Sequence, residues 1–311
     1  MGGVPVIWQL SVVQFELGTA INGVALAEIH PSTAPEQFFQ HQAVPILRSY
    51  MNKPYARKEL FIVACKKMHT VTTQNHGGFS LWLSGAHENN IEIYADAACN
   101  TIVPKIQRYP IYYPFQEQRI EIISDIDDTI LYSFSNSLLK RVNTILFTRP
   151  QLRKTVEFTR RLLLTANQTG IRVYYISRSE ENLFHFLTNI LSEHHLTGAI
   201  IYLSDYLNYL GLLAATKKHF KSEQISSIIQ KSPGKRYYLI GDDTQHDILT
   251  YSEIAEQFPG RICRVFIRKT KAYNARFQRF YYERLLKLNI QVLYFNDDTP
   301  FDGSILKNVN C

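Results

Sequence analysis

Ile120-Glu121-Ile122-Ile123-Ser124-Asp125-Ile126-Asp127-Asp128-Thr129 is the stretch on which the reading of this sequence turns. Ile120–Ser124 is a short apolar run of strand type, and it ends in a cluster of carboxylates. Side chains alternate along a strand, so Asp125 and Asp127 project to one side and Ile126 to the other. Two carboxylates that close repel each other at neutral pH unless a cation or a shared proton offsets them. A lone Asp-x-Asp is more often a turn or a helix cap. The surroundings decide between these readings.

Outward from this stretch, strand-like runs alternate with helical ones. Ile171–Ile176, Ala199–Leu203, Tyr237–Ile240 and Val265–Ile267 are rich in Ile, Val, Leu and Tyr. Helical patterns fall near 150–165, 179–191, 222–230, 245–257 and 275–288. Ser179 is a plausible N-cap, with Glu180 and Glu181 in the first turn where the helix dipole favours them. Such alternation predicts a parallel sheet with right-handed crossovers, whose ligands bind at the carboxyl ends of the strands. Those ends carry the chemistry. The second strand ends Tyr175-Ile176-Ser177, and the fourth ends Ile240-Gly241-Asp242-Asp243, with Asp247 opening the next helix. Lys221 sits just before the helix leading to the fourth strand. Buried carboxylates without a partner are costly, and a bound divalent cation would supply one.

Asp125-Ile126-Asp127-Asp128-Thr129 resembles the Asp-x-Asp-x-Thr signature of the haloacid dehalogenase superfamily of phosphohydrolases. Within it, Ile123–Ile130 and the run Leu239-Ile240-Gly241-Asp242-Asp243-Thr244-Gln245-His246-Asp247 are similar to the actin-patch phosphatidate phosphatase family. The likeness continues through Tyr251, Ile254-Ala255 and Phe258–Ile262 to Ile267-Arg268. It covers Arg119 to Arg268. This chain departs from it at Asp243-Thr244, where Ser-Gly is usual, at Ile248-Leu249, where Pro-Glu is usual, and at Arg178, where Asn is usual.

The resemblance implies an α/β fold, a Rossmann-like haloacid-dehalogenase parallel sheet with a minimal cap. The two insertion points, 130–170 and 204–220, are too short for a full cap domain, and an open site suits a bulky substrate. The resemblance implies that Asp125 attacks phosphorus and forms an aspartyl-phosphate. Asp127 protonates the leaving alkoxide and then activates water. Mg²⁺ is expected on Asp125, the Asp127 carbonyl and Asp242, with Asp247 or Asp243 completing or orienting the shell. Ser177 would hydrogen-bond a phosphoryl oxygen, and Lys221 would offset transition-state charge. Lys221 is preferred to Lys217 and Lys218 because its step to Ile225 matches the family pattern. Thr129 and Arg178 are the substrate-binding candidates.

The chain has 311 residues, 45% of them hydrophobic and 20% charged, which excludes a disordered, collagen-like or coiled-coil protein. Before residue 118 the pattern is all-β. Glu59–Ala64, Phe79–Leu83 and Ile91–Tyr94 read as strands, and Asn75-His76-Gly77-Gly78 as a hairpin turn. Residues 1–110 are expected to form a small β-sandwich-like domain and 119–311 the catalytic domain. The stiff stretch Tyr109-Pro110-Ile111-Tyr112-Tyr113-Pro114 would be the linker. Trp8 and Trp82 read as core. The apolar start lacks a positive n-region and carries Gln9, Ser11 and Gln14, which argues against a secretory leader. Cys65, Cys99, Cys263 and Cys311 have no metal or redox spacing and read as reduced thiols in a cytoplasmic protein, a Cys65–Cys99 disulfide remaining open.

The net charge of +7 arises entirely after residue 118, since residues 1–118 balance. Basic clusters at 139–161 and 261–290 would be drawn to an anionic phospholipid surface. The expected partners are therefore a phosphatidate-bearing membrane, with the protein peripheral on it, and a protein partner for the β domain. No nucleic acid is expected under this reading. Two other readings stay open: a phosphatase on nucleic-acid ends or a soluble phosphoester, and a non-catalytic binding scaffold.

Overall fold

The structure, a computed structural model, describes residues 4–37, 43–132, 154–207, 219–244, 246–270 and 273–306. The chain divides into two compact units. The first comprises 1–115, 179–192 and 203–216, and the second 116–178, 193–202 and 217–311.

The first unit holds β1 (Val6–Phe15), β2 (Gly18–Glu28), β3 (Lys53–Pro54), β4 (Glu59–Ala64), β5 (Lys67–Thr72), β6 (Gly78–Ser84), β7 (Glu92–Tyr94), β8 (Tyr112–Tyr113) and helix α1 (Ala43–Ser49). One sheet runs β3-β2-β1-β8 with β6 also on β2, and a second runs β5-β4-β7. Ile7, Leu10, Val12 and Ile21 from the first share a core with Leu60, Ile62 and Ile93 from the second. This is the sandwich the sequence suggests.

Four details depart from expectation. Strand β1 is buried on both faces, with Trp8, Val13 and Phe15 as inaccessible as Ile7. That accounts for the continuous apolar run at the start of the chain, since a strand covered on both sides has no need to alternate. The 75–78 turn is not a hairpin. It carries the chain from β5 to β6, which lie in different sheets. Gly77 is required there, because its φ is +84° and a β carbon would lie 2.3 Å from the Ala25 carbonyl oxygen. The expected linker is partly strand, with Tyr112 and Tyr113 pairing in parallel with Val12 and Val13. Prolines flank this edge pairing and deprive it of nothing. Trp82 is 38% exposed rather than core.

The second sheet system contains β9 (Ile120–Ser124), β10 (Val173–Glu180), β11 (Ile200–Ser204), β12 (Arg236–Asp242), β13 (Ile262–Arg268) and β14 (Gln291–Phe295). Its order is β11-β10-β9-β12-β13-β14. The helices are α2 (Glu157–Gln168), α3 (Phe184–Glu193), α4 (Phe220–Lys231), α5 (Asp247–Gln257) and α6 (Ala275–Lys287). The order is that of a doubly wound fold, in which the chain reverses direction across the sheet between β9 and β12. The sequence pattern misses the sixth strand, β14. Ser179 is not an N-cap, because β10 extends through Glu180 and a 3-10 turn over Glu181–Leu183 precedes α3. On α6, Asn274 caps the helix by accepting from the Phe277 N–H, and Leu285 is buried while Phe280 is 59% exposed.

The expected minimal cap falls largely within 133–153 and 208–218, outside the described residues. Lys217 and Lys218 also lie outside them. Cys65 and Cys99 are free thiols. Cys263 is disulfide-bonded, which corrects the expectation of four reduced thiols.

Candidate active site

The site forms where the sheet reverses. Ile122, Ile123 and Ser124 are fully buried, so β9 is pinned on both faces, and the Asp125 N–H donates to the Ile240 carbonyl of β12 at 2.9 Å. This sets the ends of β9 and β12 side by side. Beyond Asp127 the chain turns sharply. Asp128 adopts φ +57°, and the Ile130 and Leu131 N–H groups both donate to the Ile126 carbonyl at 2.9 and 3.1 Å. Aspartate is among the few residues that tolerate this left-handed conformation.

Asp242 ends β12, and Asp247 opens α5 after a left-handed His246. Gly241 allows their approach. A β carbon there would lie 2.5 Å from Asp247 Oδ2 and 2.7 Å from its Cβ. The Asp247 carboxylate therefore folds back over the strand and accepts from the Asp242 N–H at 3.2 Å. Four residues along α5, Tyr251 reaches the same strand and donates to the Ile240 carbonyl at 2.8 Å. Lys221, in the first turn of α4, is buried. Its Nζ donates to Asp247 Oδ1 at 2.6 Å and pairs with Asp125 Oδ1 at 3.0 Å.

Asp125, Asp242 and Asp247 each offer a carboxylate oxygen, and these lie within 4.8 Å of one another. Burial pushes the Asp125 carboxyl well above the usual range. Lys221 opposes that shift, while Asp247, Asp242 and Asp127 reinforce it. Burial, reinforced by Asp247, pushes Asp242 up to about 7. Burial also works against the Lys221 charge, but Asp125 and Asp247 outweigh it and hold the ammonium above its usual value. Among the described residues, three buried carboxylates thus face one lysine. Asp125 Oδ2 is buried with no hydrogen-bond partner among the described residues. The deficit of positive charge, the unpartnered oxygen and the all-oxygen donor set fit a divalent cation.

The other expected residues divide. Ser177, fully buried on β10, donates from Oγ to Asp127 Oδ2 at 2.9 Å. Thr129 Oγ1 faces Asp242 Oδ2 across a long 3.4 Å. Arg178 is half-buried, and the strand pleat sends it to the face opposite Ser177. Asp243 does not join the carboxylate cluster. Its Oδ1 accepts from the Thr270 hydroxyl at 2.6 Å and its Oδ2 from the Thr270 N–H at 3.0 Å. Of the two carboxylates left open by the sequence, Asp247 is the one beside Asp125. The Asp127 carboxylate is also outside the three-oxygen cluster and is engaged by Ser177.

The sequence reading did not assign Gly241 or Tyr251 a role, although both lie in quoted motifs. A glycine wedged between a strand and its terminal carboxylate is a usable signal for close approach. It also missed Asp297, which lies in none of the motifs quoted from the sequence.

Residues 120–269 match the family model described as the catalytic domain of phosphatidate phosphatase APP1. The chain is 27% identical over 160 residues to phosphatidate phosphatase APP1 of Saccharomyces cerevisiae, covering 48% of this chain and 26% of that protein. It is 26% identical over 150 residues to an uncharacterised protein of Schizosaccharomyces pombe, covering 48% and 25%. The chain therefore spans about a quarter of the length of these curated relatives. Among solved structures, it resembles cytosolic 5'-nucleotidase IIIB bound to cytidine at 10% identity and a TM-score of 0.35, over 58% of this chain and 81% of that one. It resembles a HAD family hydrolase from Deinococcus radiodurans with bound phosphate and sodium at 11% identity and a TM-score of 0.33, over 60% and 92%. Among the described residues no helix is long and apolar enough to cross a membrane.

Proposed function

We propose, for a chain whose residues 120–269 match the model of the APP1-type phosphatidate phosphatase catalytic domain, that it is a Mg²⁺-dependent phosphomonoesterase acting on phosphatidate. The observation that carries this reading is the convergence of Asp125, Asp242 and Asp247 on Lys221, with Asp125 Oδ2 unpartnered among the described residues.

Asp125 is the nucleophile. Lys221 holds Oδ1 at 3.0 Å, which leaves Oδ2 to attack phosphorus and form an aspartyl-phosphate. Asp127 gives a proton to the leaving alkoxide and later takes one from the water that hydrolyses the intermediate. Its carboxylate accepts from Ser177 at 2.9 Å in the free site; the single Ser177 O–H would turn to a phosphoryl oxygen when substrate binds, and Lys221 supplies a charge for those oxygens. Asp125, Asp242 and Asp247, with the Asp127 backbone carbonyl, would hold Mg²⁺, which when bound supplies the positive charge that lets an anionic phosphate approach a carboxylate.

The lipid assignment is supported by the family likeness and by charge. Residues 261–290 hold nine Lys and Arg against one acid. Arg276, Arg279 and Lys287 are exposed on α6 around Phe280. Such a face suits an anionic phospholipid surface. The protein would then be cytoplasmic and peripheral on a membrane, with the β sandwich free for a protein partner.

The test is phosphate release, with and without Mg²⁺, from phosphatidate vesicles and from soluble glycerol phosphate and a nucleoside monophosphate. The expected result is Mg²⁺-dependent release that favours the vesicles. Equal or greater release from the soluble esters would overturn the lipid assignment and leave the chemistry standing.

A further inference from the structure

Arg268 ends β13 and is 5% exposed, yet the carboxylate cluster makes no use of it. Its guanidinium bonds to other groups through all three nitrogens. Nη1 donates to the Asp128 carbonyl oxygen at 2.7 Å. Nε and Nη2 both donate to Asp297 Oδ1, at 3.1 and 2.9 Å. The plane lies over the Tyr132 ring, 4.4 Å from its centroid, and the Tyr132 hydroxyl also bonds Asp297.

Asp128 is the residue at φ +57°, immediately after Asp127. A non-glycine residue holds that conformation only where its surroundings over-determine it. The Asp128 N–H is fixed by the Leu131 carbonyl at 2.8 Å, and its carbonyl by Arg268. We infer that Arg268 is a positioning residue for proton transfer. By clamping the Asp128 carbonyl from the far side of β12, it fixes the turn that aims the Asp127 carboxylate. A planar fork suits this task, because one guanidinium can grip a carbonyl and a carboxylate at once while its face rests on an aromatic ring. The inference rests on Asp127 being the acid of the proposed reaction.

This role has a signature that general loosening of the fold does not share. When the P–O bond breaks, its electron pair goes to the departing oxygen. An alkoxide then needs the Asp127 proton, whereas p-nitrophenolate is stable without it. The experiment measures kcat/KM for glycerol phosphate and p-nitrophenyl phosphate with saturating Mg²⁺. The proteins are the native chain, Arg268→Gln, Arg268→Lys and Asp297→Ala, with Asp127→Asn as reference. Acid catalysis contributes typically 10²–10⁴-fold. Arg268→Gln is therefore expected to lose roughly tenfold or more on the alkyl ester beyond its loss on the aryl ester. Arg268→Lys, which keeps charge but not the fork, should restore only part of that. Asp297→Ala, on an exposed turn and carrying little risk to folding, should lose in the same selective sense to a smaller degree. Equal losses on both esters in the Arg268 and Asp297 variants, with Asp127→Asn selective for the alkyl ester, would overturn the inference alone. An Asp127→Asn that loses equally on both esters would overturn the assigned role of Asp127 and the inference with it.

Discussion

Gly241→Ala should damage metal binding without touching a ligand. A β carbon at residue 241 would lie 2.5 Å from Asp247 Oδ2, 2.7 Å from its Cβ and 2.9 Å from its Cγ. Carbon atoms rest at about 3.5 Å or more, so Asp247 would have to retreat by roughly 0.8 Å at its Cβ. It has no slack to do so. One oxygen is held by Lys221 at 2.6 Å and the other by the Asp242 N–H at 3.2 Å. Overpacking of this kind costs about 1–3 kcal/mol. At about 2–4 °C per kcal/mol for a domain of this size, Tm should fall by roughly 2–12 °C. Disturbing the support of a metal ligand typically costs about 10–100-fold in metal affinity. The assay pairs a thermal melt with a Mg²⁺ titration of phosphate release. Gly303→Ala is the control, since a β carbon there meets nothing within 4 Å. A Gly241→Ala protein with native Tm and native Mg²⁺ half-saturation would refute the argument that the glycine admits Asp247.

Three further outcomes are expected. The Asp242 carboxyl is raised by burial to about 7, so the metal-free fold is favoured at low pH by its proton and loses that contribution as pH rises through about 7. A cation must displace the proton, so Mg²⁺ should raise Tm more at about pH 8 than at about pH 6, and equal shifts would contradict this. Lys221→Met removes the cation that pairs with Asp125 and Asp247. Stability should fall by up to about 3–5 kcal/mol, less whatever proton uptake by the carboxylates returns, with partial recovery on adding Mg²⁺. An unchanged melt would count against the buried charge cluster. Asp243→Ala should lose the two Thr270 bonds, about 1–3 kcal/mol in all, but keep its Mg²⁺ requirement. A half-saturation raised tenfold or more would return Asp243 to the metal shell.

Much of the catalytic unit was legible because its signals are local. Ile120–Ser124 reads as a strand and is one, as is Glu59–Ala64 in the N-terminal unit. Asp125, Lys221 and Asp242 stand at element ends, where the sequence placed them, whereas Ser177 lies within β10, which runs on to Glu180. What was not legible depends on contacts between distant segments. Whether Asp243 or Asp247 faces Asp125 is decided by Thr270, two residues past β13, which takes both Asp243 oxygens. Arg268 was visible as a basic residue at a strand end, but its grip on Asp128 and Asp297 joins positions 140 and 29 residues away. The apolar start was judged unlike a leader but was not recognised as a strand, because a strand buried on both faces has no alternation to reveal it. The turn at Gly77 looked like a hairpin because two-residue turns carry no record of which sheet receives the next strand.

The central claim is that Asp125, within its carboxylate cluster, attacks phosphorus with a divalent cation bound. The most direct test is Mg²⁺-dependent phosphate release by the native chain and by Asp125→Asn, with a thermal melt to show that the variant is folded. The account predicts release that requires Mg²⁺ and that disappears in a folded Asp125→Asn. Release that persists in that variant, at a rate comparable to the native chain, would contradict it.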